Sequence, residues 1–144
     1  MKDFEKRTIL IAEDDGLIGS LLQGQLAAEG LDVSLVENGA RALEVIESTG
    51  VDVLITDLEM PEKDGLTLIK EIRHNEASSG GGLRLPIVLL TGGDDSTRLL
   101  ALRAGASHAF AKPFGAKLIS WLRAYIRDAN PTDTLCLHLA LPEC

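Results

Sequence analysis

"TILIAEDDG", residues 8–16, sets where the first strand of the chain stops and what stands at its end. Five residues suited to a buried, pleated surface, Thr8 to Ala12, are followed at once by Glu13, Asp14 and Asp15. At about 4 Å and an effective dielectric of about 20, each pair of unit charges costs roughly 4 kcal/mol. A cation, a proton or distance has to relieve three acids at one loop mouth.

Four more short apolar segments follow: "VSLV" (33–36), "DVLIT" (52–56), "PIVLL" (86–90) and "HAFA" (108–111). Between them run longer stretches with helical spacing. Leu17, Leu21, Leu22 and Leu26 predict the inner stripe of a first helix that ends near Gly30. Ala42, Leu43 and Ile46 predict a second behind an N-cap at Asn38. Leu66, Leu68, Ile69 and Ile72 mark a third, and Leu99, Leu100 and Leu102 a fourth. A fifth, from about Gly115 to Asp128, presents Leu118, Ile119, Leu122, Tyr125 and Ile126. Five strands and five helices in strict alternation predict an α/β fold, a flavodoxin-like doubly wound five-stranded parallel sheet of order 2-1-3-4-5.

A chain of 144 residues, 45% of them apolar, suits one domain, which the alternation places at residues 1–129. "NEASSGGGLR" (75–84) reads as a flexible connector between the third helix and the fourth strand. In the tail, residues 130–144, leucines at 135, 137, 139 and 141 alternate with smaller or polar residues. That period of two predicts an extended strip packed on its own domain or, in a homodimer, on a second copy. A net charge of -8 argues against direct binding to nucleic acid, which needs basic patches. No apolar run approaches the roughly 18 residues of a membrane span, and "MKDFEKRTIL" lacks the apolar core of a signal peptide, so a cytoplasmic protein is expected. Cys136 and Cys144, a late pair without companions, read as free thiols. His74, His108 and His138 have no metal-ligand spacing and read as surface residues, while Met60 and Phe114 read as packing residues.

In an open α/β sheet, ligands bind outside the carboxyl ends of the strands. Glu13, Asp14 and Asp15 end the first strand, Asp57 the third, Thr91 and Gly92 the fourth, and Lys112 and Pro113 the fifth. Several carboxylates with a single lysine beside them have the composition of a Mg²⁺ and phosphoryl site. Asp57 at the centre is the candidate nucleophile, and Lys112, the Thr91 hydroxyl and Mg²⁺ would neutralise the equatorial oxygens. Asp15 reads instead as the N-cap of the first helix.

"ILIAEDDG", "ITDLEMPEKDGLTLIKEIR", "PIVLLTGG" and "AGASHAFAKPF" resemble, in order and spacing, the motifs of response-regulator receiver domains of two-component signalling. The resemblance covers about residues 7 to 128. It implies that Asp57 is the phosphoacceptor in a phosphorelay, charged by a histidine kinase or a histidine phosphotransfer protein, and that its phosphorylation is self-assisted. It implies that Glu13 and Asp14 hold Mg²⁺ with Asp57, that the Glu59 main-chain carbonyl completes the protein ligands, and that Thr91 and Lys112 contact the phosphoryl oxygens, Pro113 holding Lys112 in place.

The chain departs from that pattern three residues before the lysine. Most receivers carry Tyr or Phe there, whereas this chain has Ala109, with Phe110 one position later. One residue flips sides in a strand, so Phe110 is expected to point into the core and Ala109 toward the signalling surface. Gly92 and Gly93 leave the rim of the site open. A receiver-like adaptor that binds partners independently of phosphorylation is the alternative reading, disfavoured by the complete set of Glu13, Asp14, Asp57, Thr91 and Lys112. An aspartate-based phosphohydrolase would want a second Asp where the chain has Glu59, and a flavodoxin a phosphate loop where it has "AEDDGLI".

Overall fold

The computed structural model describes residues 7–81, 84–112 and 116–127. The leucine strip of the tail, Cys136, Cys144, His138, Pro113 and Phe114 lie outside the described residues. Among the described residues ten elements alternate: β1 (Thr8–Ala12), α1 (Gly16–Ala27), β2 (Asp32–Val36), α2 (Gly39–Ser48), β3 (Val53–Asp57), α3 (Gly65–Ser78), β4 (Ile87–Thr91), α4 (Asp95–Ala104), β5 (His108–Ala111) and α5 (Ala116–Arg127). All strand pairs are parallel, in the order β2-β1-β3-β4-β5. The register brings the strand ends level: Ala12 pairs Thr56, Asp57 pairs Leu90, and Thr91 pairs Ala111. β3 and β4 each run one residue beyond their apolar runs, so Asp57 and Thr91 are the last residues of their strands.

Every residue of β3 and β4 is buried, because helices cover both faces of a parallel sheet. On one face Leu10, Leu54 and Leu89 pack with Leu68, Ile69 and Ile72 of α3, Ala42 of α2 and Ala101 of α4. On the other, Ile9, Ile11, Ile55, Val88 and Leu90 pack with Leu22 and Leu26 of α1 and Leu118, Leu122 and Ile126 of α5.

Five expectations are corrected. In α1 the buried line is Gly19, Leu22 and Leu26, whereas Leu17 and Leu21 are 72% and 57% exposed. A Cβ on Gly19 would stand 2.8 Å from a Leu35 methyl carbon, so the helix meets the sheet along its side-chain-free line and turns the neighbouring leucine pair outward. In α4 all three leucines are exposed and only Ala101 is buried. Asn75 to Ser78, the start of the supposed connector, are helical, and Glu76 holds the return of the chain by accepting from the Leu85 N–H at 2.7 Å and pairing with Arg73. In β5, Ala109 is only 2% exposed, because α4 covers that side of the edge strand; Phe110 points the opposite way and is half-buried in the α5 layer. His108 is half-buried there too, stacked on Phe110, and is no simple surface residue.

Candidate functional site

The three acids after β1 go to three different places. Asp15 caps α1, its Oδ1 accepting from the Leu17 and Ile18 N–H groups at 3.0 and 3.2 Å, which satisfies two otherwise orphaned donors. Asp14 stays exposed. Glu13 is buried, its Oε2 accepting from the Asp15 N–H at 3.2 Å and its Oε1 3.4 Å from Lys112 Nζ.

The loop after β3 places Asp57. Gly65 donates to the Leu58 carbonyl at 2.7 Å, and a Cβ on Gly65 would lie 2.3 Å from the Asp57 carbonyl oxygen, so glycine is required for α3 to start this close to the strand end. Between them the chain makes a tight turn in which Lys63 N–H bonds the Pro61 carbonyl at 2.7 Å and Glu62 sits at φ 71°, a left-handed backbone in a residue other than glycine. Lys63 is held by its ion pair to Glu71 and by its carbonyl, which accepts from the Gly39 N–H at 3.2 Å. Strained backbone of this kind persists only where the surroundings over-determine it.

Asp57 Oδ1 accepts from the Leu58 N–H at 2.9 Å and lies 2.8 Å from Lys112 Nζ. The lysine is brought there by its own N–H, which bonds the Thr91 carbonyl at 2.7 Å and so continues the ladder past the end of β5. Oxygens of Glu13, Asp14 and Asp57 all lie within 4.8 Å of one another. Burial raises the pKa of Glu13, the Asp15 N–H works against this, and the nearby Asp57 charge pushes it up again. Burial pulls the Lys112 ammonium down, but its bond to Asp57 and the charges of Asp57 and Glu13 more than reverse that and hold it above its ordinary value. Among the described residues that line the site, Lys112 is the one cation, paired with two of the three clustered carboxylates. The excess of hard oxygen donors around one point fits a small divalent cation, which takes oxygen ligands and keeps part of its water.

Thr91, 2% exposed, completes the set at the end of β4, its Oγ1 accepting from the Gly93 N–H at 2.9 Å. These residues line a cleft of about 840 Å³ together with Glu59, Met60, Gly92, Gly93 and Thr97. All six residues expected from the sequence, Glu13, Asp14, Asp57, Glu59, Thr91 and Lys112, therefore border one space. Glu59 does so with an exposed side chain and outside the three-carboxylate group. Met60 packs against the α2–α4 side of the core as well as bordering the cleft. The residue that sequence reasoning missed is Thr97. Its signal was the "GGDDST" run, in which Asp94 caps α4 and accepts from the Thr97 N–H, aiming the first turn of that helix at the cleft.

Residues 9–122 match the sequence model of the response regulator receiver domain. The chain is 36% identical over 127 residues to the response regulator MprA of Mycobacterium tuberculosis, covering 87% of this chain and 53% of that protein, so it spans about half the length of the curated relative. Among solved structures it is similar to the receiver domain of the sensor histidine kinase PA1611 from Pseudomonas aeruginosa, with 31% identity, 85% and 98% of the two chains covered and a TM-score of 0.74; that structure has a magnesium ion coordinated in its active-site cleft. It is also similar, at 25% identity, 81% and 85% coverage and a TM-score of 0.75, to the receiver domain of a Saccharomyces cerevisiae response regulator solved with a histidine phosphotransfer signalling protein.

Proposed function

Because the chain belongs to the response regulator receiver domain family, we propose that Asp57 is its phosphoacceptor, charged by a phosphohistidine on a histidine kinase or histidine phosphotransfer protein. The observation that carries this is the Asp57 carboxylate 2.8 Å from Lys112 Nζ, at the end of a buried strand and beside Glu13 and Asp14. An Asp57 oxygen attacks phosphorus as the P–N bond breaks, and the imidazole leaves with the electron pair. Lys112 and the Thr91 hydroxyl meet the charge that spreads over the equatorial oxygens, so the chain supplies position and neutralisation rather than a separate acid or base. Glu13, Asp14 and Asp57, with the Glu59 main-chain carbonyl, would hold Mg²⁺, which supplies positive charge to the same oxygens. The magnesium-bound PA1611 receiver and the yeast receiver–phosphotransfer complex are similar proteins that support the cation and the donor class.

Incubation with acetyl phosphate and Mg²⁺ should add one phosphoryl mass to the wild-type chain and none to Asp57→Asn; an adduct that persists in the variant disproves the assignment. The cation is tested by stability. The raised pKa of Glu13 means that its stabilising effect is present below the unfolded value of 4.5 and is lost as pH rises through the higher folded value. At neutral pH the ionised Glu13 carboxylate is therefore held against its own burial and, less strongly, against the Asp57 charge, and Mg²⁺ should raise the melting temperature of the wild type. Glu13→Gln should raise it without Mg²⁺ and blunt the response to the ion.

A further inference from the structure

Thr97, in the first turn of α4, lines the same cleft as Asp57 and Thr91. Its side chain is seated over the Cα of Gly93: a Cβ there would stand 2.7 Å from Thr97 Oγ1 and 2.9 Å from Thr97 Cβ. Gly93 is not among the residues with positive φ, so what demands glycine at 93 is the seat of Thr97 rather than the backbone. The same glycine gives its N–H to Thr91 Oγ1 at 2.9 Å. Two hydroxyls therefore flank one glycine in the wall of the cleft.

The Thr97 hydroxyl is loosely held. It lies 3.4 Å from Asp94 Oδ1, an oxygen that already accepts from the Ser96 hydroxyl at 2.8 Å and the Thr97 N–H at 3.2 Å. An O–H···O bond of 3.4 Å contributes little, so the hydroxyl can turn to a closer acceptor, and a bond to an ionised oxygen is stronger than one between neutral groups. We infer that Thr97 is a second hydroxyl donor to the anionic group carried by Asp57, and that it ties α4 to the state of that group. This rests on Asp57 being the phosphoacceptor.

The tie has a defined path. When Thr91 Oγ1 itself swings toward a phosphoryl oxygen, the Gly93 N–H that it accepts from follows it or loses its acceptor, and either change moves the seat of Thr97. The hydroxyl of Thr97 then has two discrete partners, Asp94 in the bare protein and the anion in the charged one, which gives the first turn of α4 two positions. Between that first turn and its far end, where Arg73 Nε of α3 donates to the Gly105 carbonyl at 2.9 Å, α4 is lightly packed. It meets β5 through Ala101, Ala104 and Ala109, side chains without rotamers to transmit a signal, and its three leucines are exposed.

The test uses beryllofluoride with Mg²⁺ as a stand-in for the phosphoryl group, followed by backbone amide shifts in the wild type, Thr97→Ser and Thr97→Val. Saturating beryllofluoride should move the amides of Gly92 and Lys112 in all three proteins. The amides of residues 97–104 should move in the wild type and Thr97→Ser and move less than half as far in Thr97→Val, which should also bind beryllofluoride about tenfold more weakly. A Thr97→Val protein with wild-type affinity and the full α4 response overturns the inference while leaving Asp57 as acceptor. A wild-type protein in which neither Gly92 nor Lys112 moves, and which takes no phosphoryl mass from acetyl phosphate, overturns the acceptor reading and the inference with it.

Discussion

The two flanks of β5 are built from opposite materials. Toward α4 the strand shows Ala109, which shares a core cluster with Ala101 and Ala106, with Ala104 packed against it. Toward α5 it shows His108 and Phe110, with ring centroids 4.3 Å apart; His108 meets Trp121 edge-on at 5.9 Å, and Trp121 stacks on Tyr125 at 5.3 Å. α5 also carries three buried aliphatic residues and a two-pronged ion pair from Arg123 to Glu29, at 2.6 and 2.8 Å, that ties it to the turn after α1. Large rings and branched side chains hold a helix by area and shape, while alanines let one lie close without gripping it. α5 is fixed to the sheet and α4 rests on it, so a change in the cleft has one flank it can move.

The largest expected effect separates the two helices directly. Leu122→Ala, which empties a buried site in α5, should cost about 3 kcal/mol of stability, and Leu100→Ala on the outer face of α4 less than about 0.5 kcal/mol, as read by urea unfolding. Equal losses would erase the contrast. Next comes Ala109→Leu, which overfills the alanine seam. It should cost about 1–3 kcal/mol and speed hydrogen exchange in α4 while leaving α5 unchanged. Matching acceleration in both helices would mean that the flanks are coupled.

The smallest effect is a pH dependence on the aromatic side. Burial, with the Arg98 charge adding to it, lowers the His108 pKa from 6.5. Nδ1 accepts from the Ala109 N–H at 3.0 Å, a bond open only to an unprotonated nitrogen. The native state therefore binds fewer protons than the unfolded one: this contribution to stability is complete above 6.5 and is lost as pH falls through that value toward the lower folded one. His108→Phe should keep the stack and flatten the change in melting temperature between about pH 5 and pH 8. A variant with the same slope as the wild type would place the sensitivity elsewhere.

The strands and their order were legible because a strand buried on both faces has to be an unbroken apolar run, as "TILIA" and "PIVLL" are. The site was legible for a related reason: a parallel sheet collects the residues that follow each strand at one edge, so Glu13, Asp57, Thr91 and Lys112 could be grouped before any geometry was known. Helix faces were harder. In α1, Leu17 with Leu21 and Leu22 with Leu26 make adjacent stripes of equal strength, and only Gly19 against Leu35 decides between them. His108 was misread because its partners lie two residues along the strand and on a later helix, and Thr97 because its place in the cleft depends on an absent side chain at Gly93. Ala109 was turned the wrong way because period-two alternation assigns opposite faces without saying which one a helix covers.

The aliphatic face of α5 also has a meaning in time. A ribosome delivers β1, β3 and β4 long before α5, and until residues 118–126 have emerged the side chains of that helix cannot complete the cover over Val88, Leu90 and the adjoining Ile55. At about 5–20 residues per second, the nascent chain carries an open greasy sheet for a second or more after β4 is complete. Among the described elements, α5 is the last to arrive and the one that closes this face. Weakening Leu118, Leu122 or Ile126 should show first as aggregation during expression, before the purified protein reveals any loss at the cleft.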